Sequence, residues 1–378
     1  MDRSNRDILL SIKATGRRGI VRIGVIGAGK IGRLRIQSII EHPKAGLAAV
    51  MDTSAEAAAS AVQGTEAHAT TDFERFFAAD MDAVVISTPA PAHEAACLAA
   101  FDRGWHVLCE KPLSNTVESC RRIVQAAIAA KRTLGVGFNL RYYPAFRFVK
   151  DTVARGAIGD IDHLRVFGGH EGLPKFTHEW EYKAPASGGG AMMDVGIHMT
   201  DLTRYILGDI TEVYGVMSES VWHVPGSEDN AMAVLRNPEG VTALYHATWT
   251  EWKGYGISLE VYGNRGMVRG SYAPMQNLLI TQDRPGGSRR TKRRLYPEII
   301  LREKAKTWRS TALISFRDEL ADFIAMTEGR TDVAIADGYA GQRSVEVAEA
   351  VRRCTESHEV IHLPVLGRMP TAGGTPQQ

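Results

Sequence analysis

Cysteine is scarce in this chain: four in 378 residues (Cys97, Cys109, Cys120 and Cys354), with no CxxC pair and no clustering with histidine. That distribution argues against a disulfide framework and against a zinc site, so no metal is expected. Long apolar runs are missing as well, since nothing approaches the roughly 18 consecutive apolar residues of a membrane span. The N-terminal stretch MDRSNRDILLSIKATGRRG carries acids and a very short apolar core. Neither a signal peptide nor a membrane partner is expected, and a reducing cytoplasm is the default compartment. There is no charge excess either: 45 Lys+Arg against 43 Asp+Glu leave +2, which argues against a nucleic-acid partner for the chain as a whole. Glycine is what the chain has in plenty, 37 residues gathered in a few loops.

Residues 20 to 137 alternate short apolar runs with helical stretches. IVRIGVIG is followed by KIGRLRIQSIIEH, GLAAVMD by an Ala-rich segment, DAVVISTP by AHEAACLAAFDRG, and WHVLCEKP by TVESCRRIVQAAIAAKR, before TLGVGFN closes the series. Strands apolar on both faces and joined by helical crossovers require a parallel sheet covered on both sides, a doubly wound α/β unit. Beyond about residue 150 the runs lengthen, alternate with period two and are joined by turn signals such as NPEG and GNRG. That pattern predicts an α+β unit with a large open, mainly antiparallel sheet. The expected division is an N-terminal extension (1–19), a dinucleotide-binding domain (20–140), a substrate and oligomerisation domain (141–366) and a disordered tail (367–378). The Arg- and Lys-rich segment from Asp283 to Arg309 reads as a solvated loop, with a patch facing an anionic ligand as the sharper alternative.

Gly27, Gly29 and Gly32 form GxGxxG inside GAGKIG, directly after a predicted strand and opening a predicted helix. In that context the first glycine turns the chain, the second lets backbone approach a pyrophosphate and the third lets helix pack on strand. The helix N-terminus, at Lys30 and Ile31, offers N–H groups to the phosphates. Asp52 ends the next strand, at the offset from Gly32 where a carboxylate accepts hydrogen bonds from a ribose diol and repels a 2′-phosphate. Thr53 and Ser54 follow it, with no adjacent cation. The cofactor expected is NAD, with NADP disfavoured.

Glu110-Lys111-Pro112 ends a strand of the parallel sheet, at the carboxyl edge where ligands bind in open α/β folds. The second constellation is a glycine run (Gly188, Gly189, Gly190) followed by AMMDVGIHMTDLTRYILG, with Asp194 and His198 at i and i+4. On a helix that spacing puts both side chains on one face, one turn apart. A carboxylate, an imidazole and a sheet-edge ammonium beside a dinucleotide site are the groups that hydride transfer from an alcohol requires: a base near neutrality and a cation for the developing alkoxide. Lys111, Asp194 and His198 are therefore the expected catalytic residues, with Asp194 orienting the imidazole or holding a neighbouring substrate hydroxyl. Trp180, Tyr182, Trp249 and Trp252 offer apolar faces to a ligand, although each alone more often serves a core or an interface.

Taken together, GAGKIG, EKP, FNLRYYP and GGGAMMDVGIH, in that order and at these separations, resemble the Gfo/Idh/MocA family of sugar and cyclitol dehydrogenases over roughly residues 20 to 365. The resemblance implies a Rossmann domain followed by an α+β domain whose open sheet often buries one face in an oligomer, here a homodimer or homotetramer. It assigns Lys111 to the EKP lysine, Asp194 and His198 to the acid and histidine of DxGxH, and Asn139 and Arg141, with Tyr142 beside them, to a segment lining the substrate cleft. Thr88, Pro89 and His93 keep the family's TPNxxH pattern while Ala90 departs from it. With Glu110 and Lys111 they complete the expected cofactor contacts. The implied activity is reversible NAD-dependent oxidation of a ring hydroxyl in a small-molecule sugar, cyclitol or related polyol. The alternatives are a nucleotide-linked or phosphorylated sugar, glycoside processing with transient NAD reduction, and a non-catalytic NAD sensor.

Overall fold

The computed structural model describes residues 19–366 and 369. The expected N-terminal extension up to residue 18 and the expected disordered tail, apart from Met369, lie outside the described residues. Met369 itself is buried and donates its backbone N–H to Asp337.

The first unit runs β1 (Val21–Ile26), α1 (Lys30–Ile40), β2 (Ala45–Met51), α2 (Ala55–Ala61), β3 (His68–Thr70), α3 (Phe73–Phe77), β4 (Ala83–Ile86), α4 (His93–Asp102), β5 (His106–Glu110), α5 (Val117–Ala130) and β6 (Leu134–Gly137). Its strands lie in the order β3, β2, β1, β4, β5, β6, all parallel. β4 is buried along its whole length, as a sheet covered by helices on both faces demands. Three of the helices start where a side chain satisfies a free N–H group: Ser54 caps α2, Asp72 caps α3 and Thr116 caps α5. The strand order reverses between β1 and β4, and the crevice at that reversal is where a dinucleotide binds in this topology.

The second unit comprises α6 (Pro144–Ala154), β7 (Ile161–Gly169), α7 (Ala184–Ser187), α8 (Ile197–Leu207), β8 (Glu212–Ser218), β9 (Asn230–Arg236), β10 (Thr242–Thr248), β11 (Gly256–Gly263), β12 (Gly266–Tyr272), β13 (Gln276–Gln282), β14 (Arg289–Leu295), α9 (Pro297–Lys306), α10 (Arg309–Thr327), β15 (Ala336–Asp337), α11 (Gly338–Ser357) and β16 (Ile361–His362). Nine strands form one sheet in the order β14, β13, β12, β11, β7, β10, β9, β8, β16, antiparallel throughout except for the β7–β10 pair. One face packs on α6, α8 and α11. The other leaves Tyr214, Val216, Met232, Val234 and Leu244 exposed on three adjacent strands.

Two features differ from the sequence reading. The stretch from Asp283 to Arg309 is not a loop: it contains β14, the whole of α9 and the start of α10. Its cations run almost without interruption along an edge strand that is exposed at every residue, so charge-rich composition hides a strand whose charges keep the sheet edge from pairing further. The chain also returns to the first sheet, where β15 pairs antiparallel with β6 and α10 lies against α1. The dinucleotide-binding unit thus draws on residues far beyond 140.

Candidate active site

The glycine loop has the shape its sequence predicts. Gly27 has φ +95°, and a Cβ there would stand 2.6 Å from the Ser87 carbonyl oxygen. At Gly32 a Cβ would stand 1.9 Å from the Gly27 oxygen, whereas at Gly29 it would meet nothing. The first and third glycines are therefore forced by close packing, while the second faces the open space that a pyrophosphate requires. Asp52 is tied to the same loop, accepting N–H bonds from Ala28 (2.7 Å) and Ser54 (2.9 Å). Each carboxylate oxygen keeps a lone pair for a ribose hydroxyl. The Lys30 ammonium lies 5.3 Å from the ring centre of Trp308, and Ile31 packs against the cluster of Leu34, Ala312 and Phe316. Across the crevice the Ser87 and Thr88 hydroxyls are buried without a protein partner, beside the exposed Pro89. The open cradle and these orphaned hydroxyls fit a dinucleotide.

His93 and Glu110 hold this surface together through their side chains. The His93 ring, fully buried, faces the Thr88 oxygen through Nε2 (2.8 Å) and the Pro112 oxygen through Nδ1 (3.0 Å). It thereby ties the end of β4 to the end of β5. Burial pushes its pKa down. The Glu110 carboxylate is occupied by Arg35, whose Nε donates at 2.7 Å. The position next to Lys111 thus carries a structural ion pair.

Lys111 reaches the Asp194 backbone oxygen at 3.1 Å and lies 3.7 Å from Asp194 Oδ1. The spacing of Asp194 and His198 predicts two side chains paired on one α-helical face. The structure instead places Asp194 in a π-helical turn, Met192–Gly196, that leads into α8. The wider turn changes the direction of the aspartate, and π turns occur frequently at functional sites. Its carboxylate takes a different imidazole: His170 Nε2 at 2.7 Å, together with the Trp249 indole N–H at 3.1 Å. His170 Nδ1 accepts the Gly172 N–H at 3.0 Å, which fixes the tautomer and leaves Nε2–H to donate to Asp194. Burial opposes ionisation of Asp194, but the His170 hydrogen bond and Lys111 outweigh it and hold the carboxyl far below its usual range.

His198 packs edge-on against Phe138, with Nδ1 buried and unpartnered. Loss of solvent first and Lys111 second push its pKa well below the ordinary value, so the ring is neutral at neutral pH and a weaker base than a free imidazole. Lys111 and Asp194 meet directly and both act electrostatically on His198, but the groups bonded to the Asp194 carboxylate are His170 and Trp249. Those two stand far from Asp194 in the chain, one before it and one after it, just past the ends of β7 and β10. The alternation of those strands gave no sign of a shared site.

The segment expected to line the cleft makes hydrogen bonds to the scaffold. Arg141 forms a buried two-pronged pair with Asp201 (2.8 and 2.6 Å) and also donates to the Ala334 oxygen. Tyr142, 2% exposed, donates its hydroxyl to Asp322, and burial raises its pKa well above normal. Asn139 donates to the Ser315 hydroxyl of α10. A guanidinium and a phenol this deeply buried need partners, and the returning chain supplies them. Trp180 is 44% exposed and stacks on His178, not on any residue of the Lys111 cluster. No group of three or more His, Cys, Asp or Glu suited to a metal occurs among the described residues.

Comparison with known proteins agrees with this geometry. A model described as an oxidoreductase family with an NAD-binding Rossmann fold matches residues 21–138, and one for the GFO/IDH/MocA C-terminal domain matches residues 146–269. The chain is 35% identical over 252 residues (66% of this chain, 75% of the relative) to a 1,5-anhydro-D-fructose reductase of Ensifer adhaerens. It is 28% identical over 350 residues (90% and 98%) to an inositol 2-dehydrogenase of Rhizobium meliloti strain 1021. Among solved structures, a levoglucosan dehydrogenase in complex with NADH superposes with a TM-score of 0.79 at 22% identity, covering 92% of this chain and 100% of that one, a likeness of fold. With both domains matched in order around one cleft, the chain belongs to the Gfo/Idh/MocA family of oxidoreductases and carries that family's NAD-binding Rossmann domain.

Proposed function

We propose that the protein catalyses NAD-dependent oxidation of a secondary ring hydroxyl in a cyclitol, sugar or related polyol, or the reverse reduction of the ketone. The observation that carries this reading is the Lys111–Asp194–His170 cluster beside a neutral His198, at the carboxyl end of β5 and next to the glycine loop. The names of the two relatives, an anhydro-sugar reductase and an inositol dehydrogenase, support a ring polyol as substrate. When bound, NAD supplies the hydride acceptor. Gly29 and the first turn of α1 would hold its phosphates, with Gly27 and Gly32 shaping the loop, and Asp52 would take its adenine ribose and disfavour the 2′-phosphate of NADP.

The chain's own residues manage the proton. His198, kept neutral by loss of solvent and by the Lys111 charge, accepts the hydroxyl proton. The Lys111 ammonium, anchored on the Asp194 backbone oxygen, faces the oxygen as negative charge grows there. Asp194, ionised and oriented by His170 and Trp249, balances the Lys111 charge and accepts from a neighbouring substrate hydroxyl. The exposed apolar face of β8, β9 and β10 supports a homodimer or homotetramer formed by pairing these sheets.

The deciding experiment is a screen of cyclitols, free sugars, glycosides and sugar nucleotides with NAD and NADP, following both NADH absorbance and product. NADH formation with an unphosphorylated ring polyol is expected. Turnover of sugar nucleotides alone, or altered product without net NADH, would overturn the substrate assignment.

A further inference from the structure

Beneath Lys111 lies a charged cluster that the reaction described above does not use. Arg35, on α1 and 1% exposed, places NH2 2.5 Å from Glu110 Oε1 and NH1 2.5 Å from Glu319 Oε2. Its guanidinium lies 3.9 Å from the ring centre of Phe316. Glu319 comes from α10 and is 0% exposed. The second oxygen of Glu110 accepts the backbone N–H of Lys111 at 3.3 Å. The floor is built to fit: a Cβ on Gly137 of β6 would stand 2.7 Å from Arg35 NH2 and 2.9 Å from Glu110 Oε2. A continuous path therefore runs from Glu319 through the guanidinium and Glu110 to the backbone of Lys111.

Charge counting makes this path responsive. One guanidinium faces two carboxylates away from water, and a second negative charge in such a place is costly unless it is neutralised. Two further groups among the described residues act on Glu319, Asp201 and Tyr142. Asp201 is satisfied by Arg141, and the Tyr142 hydroxyl is engaged with Asp322. Burial, reinforced by Glu110 and opposed by Arg35, holds the Glu319 carboxyl up to about 7.

We propose that Arg35 and Glu319 are positioning residues for Lys111, with a proton on Glu319 leaving the guanidinium free to clamp Glu110. Loss of that proton makes Glu319 a full competitor for Arg35. The clamp on Glu110 then loosens, the turn carrying Lys111 loses its anchor, and turnover falls on the alkaline side. The turnover part rests on the dehydrogenase reading; the positional part does not.

The test uses the full chain and Glu319→Gln, which keeps an amide for Arg35 but cannot ionise. Lysines are reductively methylated with ¹³C-formaldehyde, and the Lys111 resonance is assigned by its loss in Lys111→Arg. A step in that resonance near pH 7 in the natural protein, absent in Glu319→Gln, supports the proposal. The same titration in both proteins overturns it. With a polyol substrate in hand, kcat is expected to fall about tenfold on the alkaline side in the natural protein and less than twofold in Glu319→Gln, with KM for NAD unmoved; superimposable profiles overturn the turnover claim. If Glu319→Gln does not fold, Arg35→Lys takes its place. A point charge cannot hold both carboxylates, so the step should be displaced and kcat lowered about tenfold, and a Lys111 resonance identical to that of the natural protein overturns the proposal. Should no polyol be oxidised, the resonance still decides the positional claim.

Discussion

At the residue scale, the proton inventory of the cleft is set by which groups are shielded from water and which are paired. His198 lies beside a cation and has Nδ1 buried without a partner, while the Asp194 carboxylate sits between two donors and a cation. The imidazole is therefore kept neutral and the carboxylate kept charged, the opposite of what burial alone does to an acid. Because the His198 pKa is lowered, its protonation begins well below 6.5, so the acid limb of kcat/KM is expected below that value. A limb at or above it would count against His198 as the base. His198→Ala should lower turnover roughly 10²- to 10⁴-fold while NADH binding, followed by fluorescence, stays intact. Lys111→Ala should cost about 10²- to 10³-fold, with poor rescue by arginine, whose planar fork places charge elsewhere. Asp52 carries a separate expectation. Asp52→Ser combined with Thr53→Arg should shift the kcat/KM ratio toward NADP, and a natural protein already faster with NADP would show that another cation reaches the ribose pocket.

The elements differ in how much of themselves they announce. GAGKIG between β1 and α1 is legible because its glycines answer to local geometry, and a Cβ at Gly32 collides with the backbone of Gly27 in the same short loop. Gly32→Ala should therefore part α1 from β1, raising the NADH dissociation constant more than tenfold and lowering the melting temperature, as overpacking by one methyl group typically costs about 1–3 kcal/mol. A variant that binds NADH normally would contradict the packing role. The π turn carrying Asp194 was not legible, because i and i+4 spacing is common to α-helices whether or not a wider turn intervenes. What makes the wide turn fit is distant: a Cβ on Gly196 would lie 2.3 Å from the Tyr245 hydroxyl of β10. β14 was hidden for another reason, since an exposed run rich in arginine carries no apolar alternation to betray a strand.

For the whole molecule, the open face of the nine-stranded sheet carries exposed apolar side chains that call for burial. Leu244 stands opposite Val234, and Val234 opposite Tyr214, so the exposed apolar residues form one contiguous patch across three strands. A homo-oligomer is the expected outcome. Sedimentation velocity at micromolar concentration should show a dimer or tetramer, and Val234→Glu with Leu244→Glu should release monomers with the nucleotide site intact. A monomeric natural protein whose stability does not depend on concentration would remove the proposal.

The sequence by itself determined the two-unit plan, the glycine loop, Asp52 and the sheet-edge lysine. Each of these follows from residues that are neighbours in the chain or sit at fixed offsets, where periodicity and backbone sterics act directly. Only the tertiary structure decided the partners. His170 and Trp249 meet Asp194 because β7 and β10 lie side by side in register. Arg141, Tyr142 and Asn139 bond to Asp201 of α8 and to Asp322 and Ser315 of α10 because buried polar groups take the partners that packed elements offer. Glu319 joined Arg35 from the opposite end of the chain because α10 packs back on α1. Such contacts depend on the summed packing of whole elements, and no short-range pattern encodes them.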